Sequence, residues 1–233
     1  MKNLFFLLSF LTIVSCGKIS PKGKIENKEI KVEDFTALTI DGKFRAFFIK
    51  SDSSFVNVET YQNIAENLNI SVRDKILTIT EKRPTKGVDF YNITIYSKYD
   101  LAKLSISDSV EMNVSSEIKT DNFQLNIKNN GKFIGSVNSR KSDLVMTDKS
   151  RANFRGNSKN ASIKISDTAS LIAPYWMIDN LNIDSKNENY AEVNVRDSLN
   201  GNISNTSKFV YYNDPIRAFK IEKTTNVQNK KLD

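Results

Sequence analysis

The sequence contains no histidine, and Cys16 is its only cysteine in 233 residues. Without histidine the chain lacks the most common general base, the most common protein ligand for metals and the side chain that titrates near neutral pH. With one thiol near the N-terminus it forms no internal disulfide and has no Cys/His zinc site. Its stability must therefore come from apolar burial and backbone hydrogen bonding.

Motifs that carry chemistry are also missing. The sequence has no GxSxG, no Gly-rich phosphate loop and no DxDxDG calcium loop. Paired-carboxylate chemistry remains open, with Asp89, Asp108 and Glu111 as the available acids, but acidic residues are spread evenly along the chain. We therefore predict a protein that is not an enzyme and needs no cofactor or metal, and keep a polysaccharide-active enzyme as the least favoured alternative.

Long apolar runs are absent too. Residues 4–14 are mostly apolar but fall short of the roughly 20 residues that span a bilayer as a helix. With Lys2 before it, this run is typical of a secretory signal peptide. Its end, Ile13-Val14-Ser15-Cys16, resembles the lipobox of bacterial lipoproteins. The resemblance implies that Cys16 is lipidated and anchors the chain to a membrane; the alternative is an ordinary signal peptide in which Cys16 is incidental.

These signals divide the chain into four parts. We predict a lipoprotein signal peptide at 1–15, a lipidated polar tether at 16–30, one domain at 31–222 and a polar tail at 223–233. The net charge of +7 could indicate nucleic acid as a partner. Lysine and glutamate are interleaved throughout, however, and no RNA-binding aromatic motif is present. We therefore interpret the lysines as scattered and predict no nucleic-acid binding.

The hydrophobic period of the domain is two, which indicates strands. The first part alternates in short runs and contains a hairpin, Leu68–Val72 with Ile76–Thr80, preceded by a short helical turn near residues 63–68. Apolar-x-apolar triplets then recur, starting at Leu104, Leu125, Leu144, Ile163 and Leu181, and a second short strand follows each triplet. A period near 20 residues is typical of a solenoid, in which stacked units share one core.

We therefore predict an all-β fold, a β-helix or β-solenoid-like stack of short strands with a hairpin-rich N-terminal part. A meander of hairpins is the alternative, and it explains the constant spacing less well. A turn-forming residue stands two positions after each triplet: Asp108, Asn129, Asp148, Asp167 and Ser185. We interpret this column as turns whose side chains bond to the local backbone, in preference to a calcium site.

The chain resembles the head GIN domain of autotransporter-adhesin type, which is common in Bacteroidetes lipoproteins. The resemblance covers about residues 31 to 222. It is carried by the opening Val32–Gly42, the hairpin, the stacked units and the closing segments Gly201–Ser207 and Val210–Pro215. It implies a β-helix-like fold and supplies no catalytic residues. The turns Asn129-Asn130-Gly131 and Thr168-Ala169 depart from the Gly-Ser-Gly that is frequent in the family.

We predict an outer-membrane lipoprotein, on the cell surface or the periplasmic face, that acts as a non-catalytic binding or adhesion module. Its partner would be a polysaccharide or an envelope protein. A structural or regulatory periplasmic component that binds a protein is the alternative. The candidate ligand-binding residues are the aromatic pairs Tyr175-Trp176 and Tyr211-Tyr212, which can stack on sugars. The same four side chains could instead fill or cap the core.

Overall fold

The computed structural model describes residues 17–231. The predicted signal peptide and Cys16 lie outside these residues. The single helix in the described range is α1, Gln62–Ala65. The strands are β1 Ile25–Lys31, β2 Ala37–Gly42, β3 Arg45–Lys50, β4 Phe55–Tyr61, β5 Leu68–Arg73, β6 Ile76–Glu81, β7 Tyr91–Ser97, β8 Lys103–Asp108, β9 Glu111–Val114, β10 Ile118–Ile127, β11 Lys132–Met146, β12 Arg151–Ile165, β13 Ser170–Ser185, β14 Tyr190–Ile203, β15 Lys208–Tyr212, β16 Ile216–Ile221 and β17 Asn226–Lys230.

The molecule is a β-solenoid of about seven turns, as the repeat predicts. Strands β10 to β14 pair in parallel, each with the next, so that every coil stacks on the one before it. The strands are longer than expected: β11, β12 and β13 contain 15, 15 and 16 residues. Each joins the second short strand predicted for one unit to the apolar triplet of the next, because the chain crosses one corner of the coil without leaving the ladder.

The predicted aliphatic column forms the core. Leu104 lies beside Leu125, Leu125 beside Leu144, and Leu144 beside Ile163, and all four are fully buried. The prediction that Leu181 continues this column is wrong, because Ile163 pairs with Ile183 and not with Leu181. A register shift earlier in β13 moves the following residues along the ladder, and the sequence spacing alone did not show it.

A tight turn closes each coil at the predicted column. Asp108, Asn129, Asp148 and Asp167 have φ between 53° and 62°, the left-handed region in which Asp and Asn are well tolerated. The carboxylates of Asp148 and Asp167 accept the backbone N–H of Asn129 and Asp148 at 2.9 and 3.1 Å. The turns are therefore confirmed at these four positions, whereas the carboxylates of Asp148 and Asp167 bond to the backbone of the preceding coil and not to the local backbone as predicted.

The fifth member of the turn column was wrong. Asn187, with φ of 70°, holds that position and donates to Asp167 at 3.2 Å. Ser185 points into the core, where it is fully buried and donates to Asn189 at 2.8 Å. The register shift in β13 accounts for this difference as well.

The stacking order at the N-terminal end does not follow the sequence. Strand β2 lies between β6 and β8, and β3 lies between β7 and β9, all in parallel. The predicted hairpin is confirmed as the antiparallel pair β5–β6. Strand β4 runs antiparallel to β7 and carries β1 on its other edge. These antiparallel strands form a cap on the first coil.

The predicted tether and tail are both corrected over their described residues. Strand β1 pairs with β4 through all seven of its residues, so residues 25–30 are part of the cap. At the other end, β17 pairs with β15, which places residues 226–230 in the last coil and not in a free tail. Pairing with a neighbouring strand outweighs the polar composition that suggested linkers. Within residues 17–231 no helix has the length and hydropathy needed to cross a bilayer.

Candidate binding surface

The first predicted aromatic pair lies at a bulge in β13. Ala173 and Met177 lie opposite the consecutive residues Val193 and Asn194 of β14, so three residues are displaced from the ladder. The amide of Asn194 supports the bulge by donating to the Pro174 carbonyl at 3.0 Å. Tyr175 is 60% exposed and Trp176 is fully buried, because both still pair in register with Arg155 and Gly156 of β12 and consecutive strand residues point to opposite faces.

Trp176 belongs to the core. Its ring centroid lies 4.5 Å from that of Phe154, and its indole N–H donates to the Ser158 hydroxyl at 3.0 Å. Ser158 is itself buried and bonded to Ser139 and Ser142, each at 2.9 Å. With no exposed surface, Trp176 offers no platform to a ligand, which favours the core-filling interpretation for this side chain.

Tyr211 also turns inward. It is 3% exposed, stacks against Phe209 with a centroid distance of 5.9 Å and meets the edge of Phe219 at 6.2 Å. Its hydroxyl accepts a hydrogen bond from Arg217 at 2.9 Å. This residue closes the core near the C-terminal end of the solenoid, as the capping alternative describes.

The outer side of the same coils carries a carboxylate held by two phenols. Glu192 accepts a hydrogen bond from the Tyr190 hydroxyl at 2.9 Å and another from the Tyr212 hydroxyl. Tyr190 and Glu192 lie two residues apart on β14 and therefore point to the same face. We name Tyr175, Tyr190, Glu192 and Tyr212 the tyrosine surface, in which Tyr175 is the largely exposed ring and Tyr212, at 8% exposed, serves mainly to hold Glu192.

Electrostatics keeps these phenols protonated. The hydrogen bond to Glu192, followed by burial, raises the pKa of Tyr212 to about 12. Burial first, and then the bond to Glu192, raises the pKa of Tyr190 to about 12. The strand register gives the position of Tyr175 relative to this cluster: it lies in β13 between the residues that pair with Val193 and Asn194, the two residues that follow Glu192 on the neighbouring strand.

The tyrosine surface combines flat apolar area with fixed acceptors. Tyrosine supplies a rigid, amphipathic contact area at a low cost in conformational entropy. Glu192 has four lone-pair sites and uses two of them for phenols, so two are left for hydroxyl or amide donors. Ile172, which is 42% exposed, extends the apolar area along β13. This chemistry suits a partner with apolar C–H faces and hydroxyl groups.

A cavity of about 250 Å³ lies elsewhere, beside the cap. Phe44 and Tyr91 form part of its wall, with ring centroids 5.3 Å apart. Lys43, Asp89 and Glu111 also line it. The Tyr91 hydroxyl is buried without a hydrogen-bond partner, and burial raises the pKa of this phenol.

Two of the three acids considered for an enzyme meet at this cavity, and each has a partner. Asp89 accepts from the Tyr61 hydroxyl at 2.9 Å, and Glu111 forms an ion pair with Lys132 at 3.3 Å. Asp108 is a turn residue. Across residues 17–231 no group of three or more acidic, histidine or cysteine side chains is arranged to hold a metal ion.

Comparison with known proteins identifies the family. Residues 34–215 match the family described as "Putative auto-transporter adhesin, head GIN domain". The match spans most of the chain, so the protein belongs to this family, as the sequence resemblance predicts. No match was found among curated proteins.

Solved structures support the fold. The chain is similar to a "putative adhesin" of Bacteroides fragilis NCTC 9343, with a TM-score of 0.81, 15% identity, and coverage of 91% of this chain and 100% of that one. It is also similar to a "putative adhesin" of Parabacteroides distasonis ATCC 8503, with a TM-score of 0.75, 21% identity and coverage of 92% and 100%. A "putative lipid binding protein" of the same Parabacteroides strain gives a TM-score of 0.75, 18% identity and coverage of 93% and 100%.

The sequence indicates Tyr175 and Tyr212 as candidates but not Tyr190 and Glu192, which the structure places on the neighbouring strand β14. The two missed residues are separated from the aromatic pairs along the chain, and only the coil register places them together. An aromatic two positions before an acid on one strand is a weak signal that occurs by chance in any strand-rich chain. The burial of Trp176 beside an exposed Tyr175 follows from strand alternation along the β12 pairing, whereas the sequence did not reveal the bulge against β14.

Proposed function

We propose that this protein is a lipid-anchored envelope lipoprotein whose GIN domain is a non-catalytic module that binds polysaccharide through the tyrosine surface. Membership of an adhesin family supports an envelope or surface location and a binding role. The lipobox-like end at Cys16 supports the anchor. The single observation that favours a sugar ligand is an exposed Tyr175 on the strand next to a carboxylate fixed by two tyrosines.

The surface would act by two contacts. The Tyr175 ring packs against the C–H face of a sugar, while Glu192 accepts hydroxyl hydrogen bonds at a position that Tyr190 and Tyr212 hold fixed. Fixing the carboxylate in advance reduces the entropy lost on binding. A repeating polymer can also contact several coils in a row, because outward positions repeat about every 4.8 Å along the stack.

A glycan array followed by calorimetric titration tests this proposal. Tyr175→Ala should weaken the binding of any polysaccharide ligand at least tenfold, and Glu192→Gln should weaken it by a similar factor. Tyr99→Ala is the matched control, because Tyr99 is a 45% exposed tyrosine in a loop after β7. Equal binding by the Tyr175 and Tyr99 variants would remove the tyrosine surface from the function.

The anchor is tested separately by protease shaving of intact cells. The wild-type domain should be cleaved from whole cells if it faces outward, and the Cys16→Ala variant should be released or lost. Protection until the outer membrane is broken would place the domain in the periplasm and contradict a role in adhesion. Binding would then be sought among periplasmic proteins.

Two alternatives have their own tests. A structural or regulatory component would capture a protein from envelope extract and no purified glycan. A polysaccharide-active enzyme would turn over uronate polymers and lose that activity on Asp89→Asn or Glu111→Gln, the acids that share the cavity. Both acids already have described partners, and the family is one of adhesins. A polysaccharide-active enzyme is therefore the least supported function.

A further inference from the structure

The segment that follows Cys16 is bound to the cap over its whole length. The Gly17 carbonyl accepts a hydrogen bond from the Arg83 guanidinium at 2.7 Å. Ile19 forms a parallel bridge with Thr85. The Asn63 side chain accepts a hydrogen bond from the Lys22 N–H at 2.8 Å and donates one to the Ser20 carbonyl at 2.9 Å. Residue 17 therefore lies against the domain, and no spacer separates it from the fold.

This docking brings together cations that are far apart in the sequence. Residues 17–24 and 82–87 contain no acid and six cations, all of them exposed: Lys18, Lys22, Lys24, Lys82, Arg83 and Lys86. None of the ion pairs found within residues 17–231 uses any of the six. We name these fourteen residues the basic cap. Glu26 and Glu81 flank these two ranges along the chain.

The position of the basic cap next to residue 16 indicates what this surface contacts. A lipid on Cys16 would enter the bilayer one peptide bond away from Gly17, and Gly17 is fixed to Arg83. The basic cap would then be held at the headgroup layer, within the distance over which an anionic surface attracts basic residues. Charge complementarity and continuity with the anchor both point to the same occupant.

We propose that the basic cap is a membrane-contact surface that binds anionic phospholipid headgroups and holds the solenoid upright on the bilayer. This inference rests on the lipid anchor of the proposed function. Eight strand-to-strand steps separate β1 from β14 on the same side of the stack. At about 4.8 Å per step, the tyrosine surface would stand about 38 Å from β1 and away from the membrane.

Nitroxide labelling of the lipidated full-length protein tests the orientation. Acylation blocks the Cys16 thiol, so a cysteine introduced by Lys24→Cys or Lys223→Cys is the only free thiol in the chain. The protein is reconstituted in vesicles of phosphatidylethanolamine with phosphatidylglycerol, and in phosphatidylcholine alone. Accessibility of each label to a water-soluble nickel chelate is then measured by electron paramagnetic resonance.

The label at position 24 should become severalfold less accessible than the label at position 223, and only in the anionic vesicles. About 1 M salt, which reduces the Debye length to about 3 Å, should abolish the difference. Equal accessibility of the two labels in anionic vesicles would overturn the proposal. So would equal protection at position 24 in both lipids, because a charge-specific contact predicts a difference.

Charge reversal provides the matched control. Lys18→Glu, Lys22→Glu and Lys86→Glu together should restore accessibility at position 24. The docked segment should stay in place, because the described bonds of Lys22 and Lys86 use their backbone N–H groups and no described bond uses the three side chains. The same net change at the far end, made by Lys208→Glu, Lys220→Glu and Lys230→Glu, should leave that protection intact. Restored accessibility in both sets would contradict a local role for the basic cap.

Failure of the anchor is distinguished by detergent-phase partition. The wild-type chain should enter the detergent phase of a Triton X-114 extract, and Cys16→Ala should remain in the aqueous phase. If the two partition alike, the lipid anchor fails and the orientation fails with it. If only the wild type partitions while its cap label stays accessible, the anchor stands and the membrane-contact surface is rejected.

Discussion

Neighbouring residues in the bulge of β13 have opposite roles. Trp176→Ala should lower the free energy of unfolding by about 3–5 kcal/mol, because it removes a fully buried ring and the indole hydrogen bond to Ser158. Tyr175→Ala should change it by no more than about 0.5 kcal/mol, since this side chain is mostly exposed. Urea denaturation followed by circular dichroism measures both. Equal losses would contradict the placement of the two rings.

The phenols on Glu192 predict a change of stability at high pH. The folded pKa of Tyr212 is about 12, above the ordinary value of 10, so the folded state keeps its proton while the unfolded state loses one. Stability from this group is present below pH 10 and falls as the pH rises from about 10 to about 12. Glu192→Gln removes the charge and should lower the Tyr212 pKa toward 10.

Tyrosinate absorbance measures this change directly. The wild type should show late-titrating tyrosines that the Glu192→Gln variant loses, while the buried Tyr91 stays protonated in both. Asp179→Asn is a suitable control, because Asp179 pairs with Arg196 and has no tyrosine partner among the described contacts. An unchanged titration in the Glu192 variant would mean that burial alone protects these phenols.

At the scale of one coil, the corner of β12 depends on glycine. Gly156 has φ of 104°, and a Cβ there would overlap the Val137 carbonyl oxygen of the coil below. Gly156→Ala should therefore cost at least about 3 kcal/mol, because backbone strain and overlap add. Gly87 also has a positive φ but open space around it, so Gly87→Ala should cost about 1–2 kcal/mol. Thermal and urea unfolding compare the two.

The turn column gives a second prediction at this scale. Asp167 accepts the Asp148 N–H, and this hydrogen bond is the largest of the causes that lower the pKa of its carboxyl group. Asp167→Ala should lower the melting temperature more than Asp167→Asn, because asparagine retains an acceptor and tolerates a positive φ. Asn187 already serves in the same column. Identical melting temperatures would show that the side-chain contact contributes nothing to the turn.

Elements with a strong local pattern could be predicted from the sequence. The Leu/Ile column, the Asp turns and the β5–β6 hairpin all follow from alternation and turn chemistry. The order β6–β2–β8 could not, because any alternating strand fits any coil position and long-range stacking leaves no local signal. The bulge at Pro174–Trp176 was missed for a related reason: inserted residues are detected only when the partner strand is known.

The molecule as a whole has two unlike ends. The N-terminal end is closed by antiparallel strands and by the docked segment 17–24, whereas β16 and β17 pair on one side only. Ile216 and Ile221 of the last coil are 79% and 51% exposed. Few buried contacts and solvent-exposed hydrogen bonds are the features of regions that open locally at low free energy.

Hydrogen exchange should therefore follow the stack. Amides of β16 and β17 should exchange first, those of β1 more slowly because the docked segment braces the cap, and those of β12 last because it pairs on both sides. Mass spectrometry of peptic peptides measures the order. If the last coil is as protected as β12, something covers that end in solution, and a dependence of its protection on protein concentration would identify a second copy as the cover.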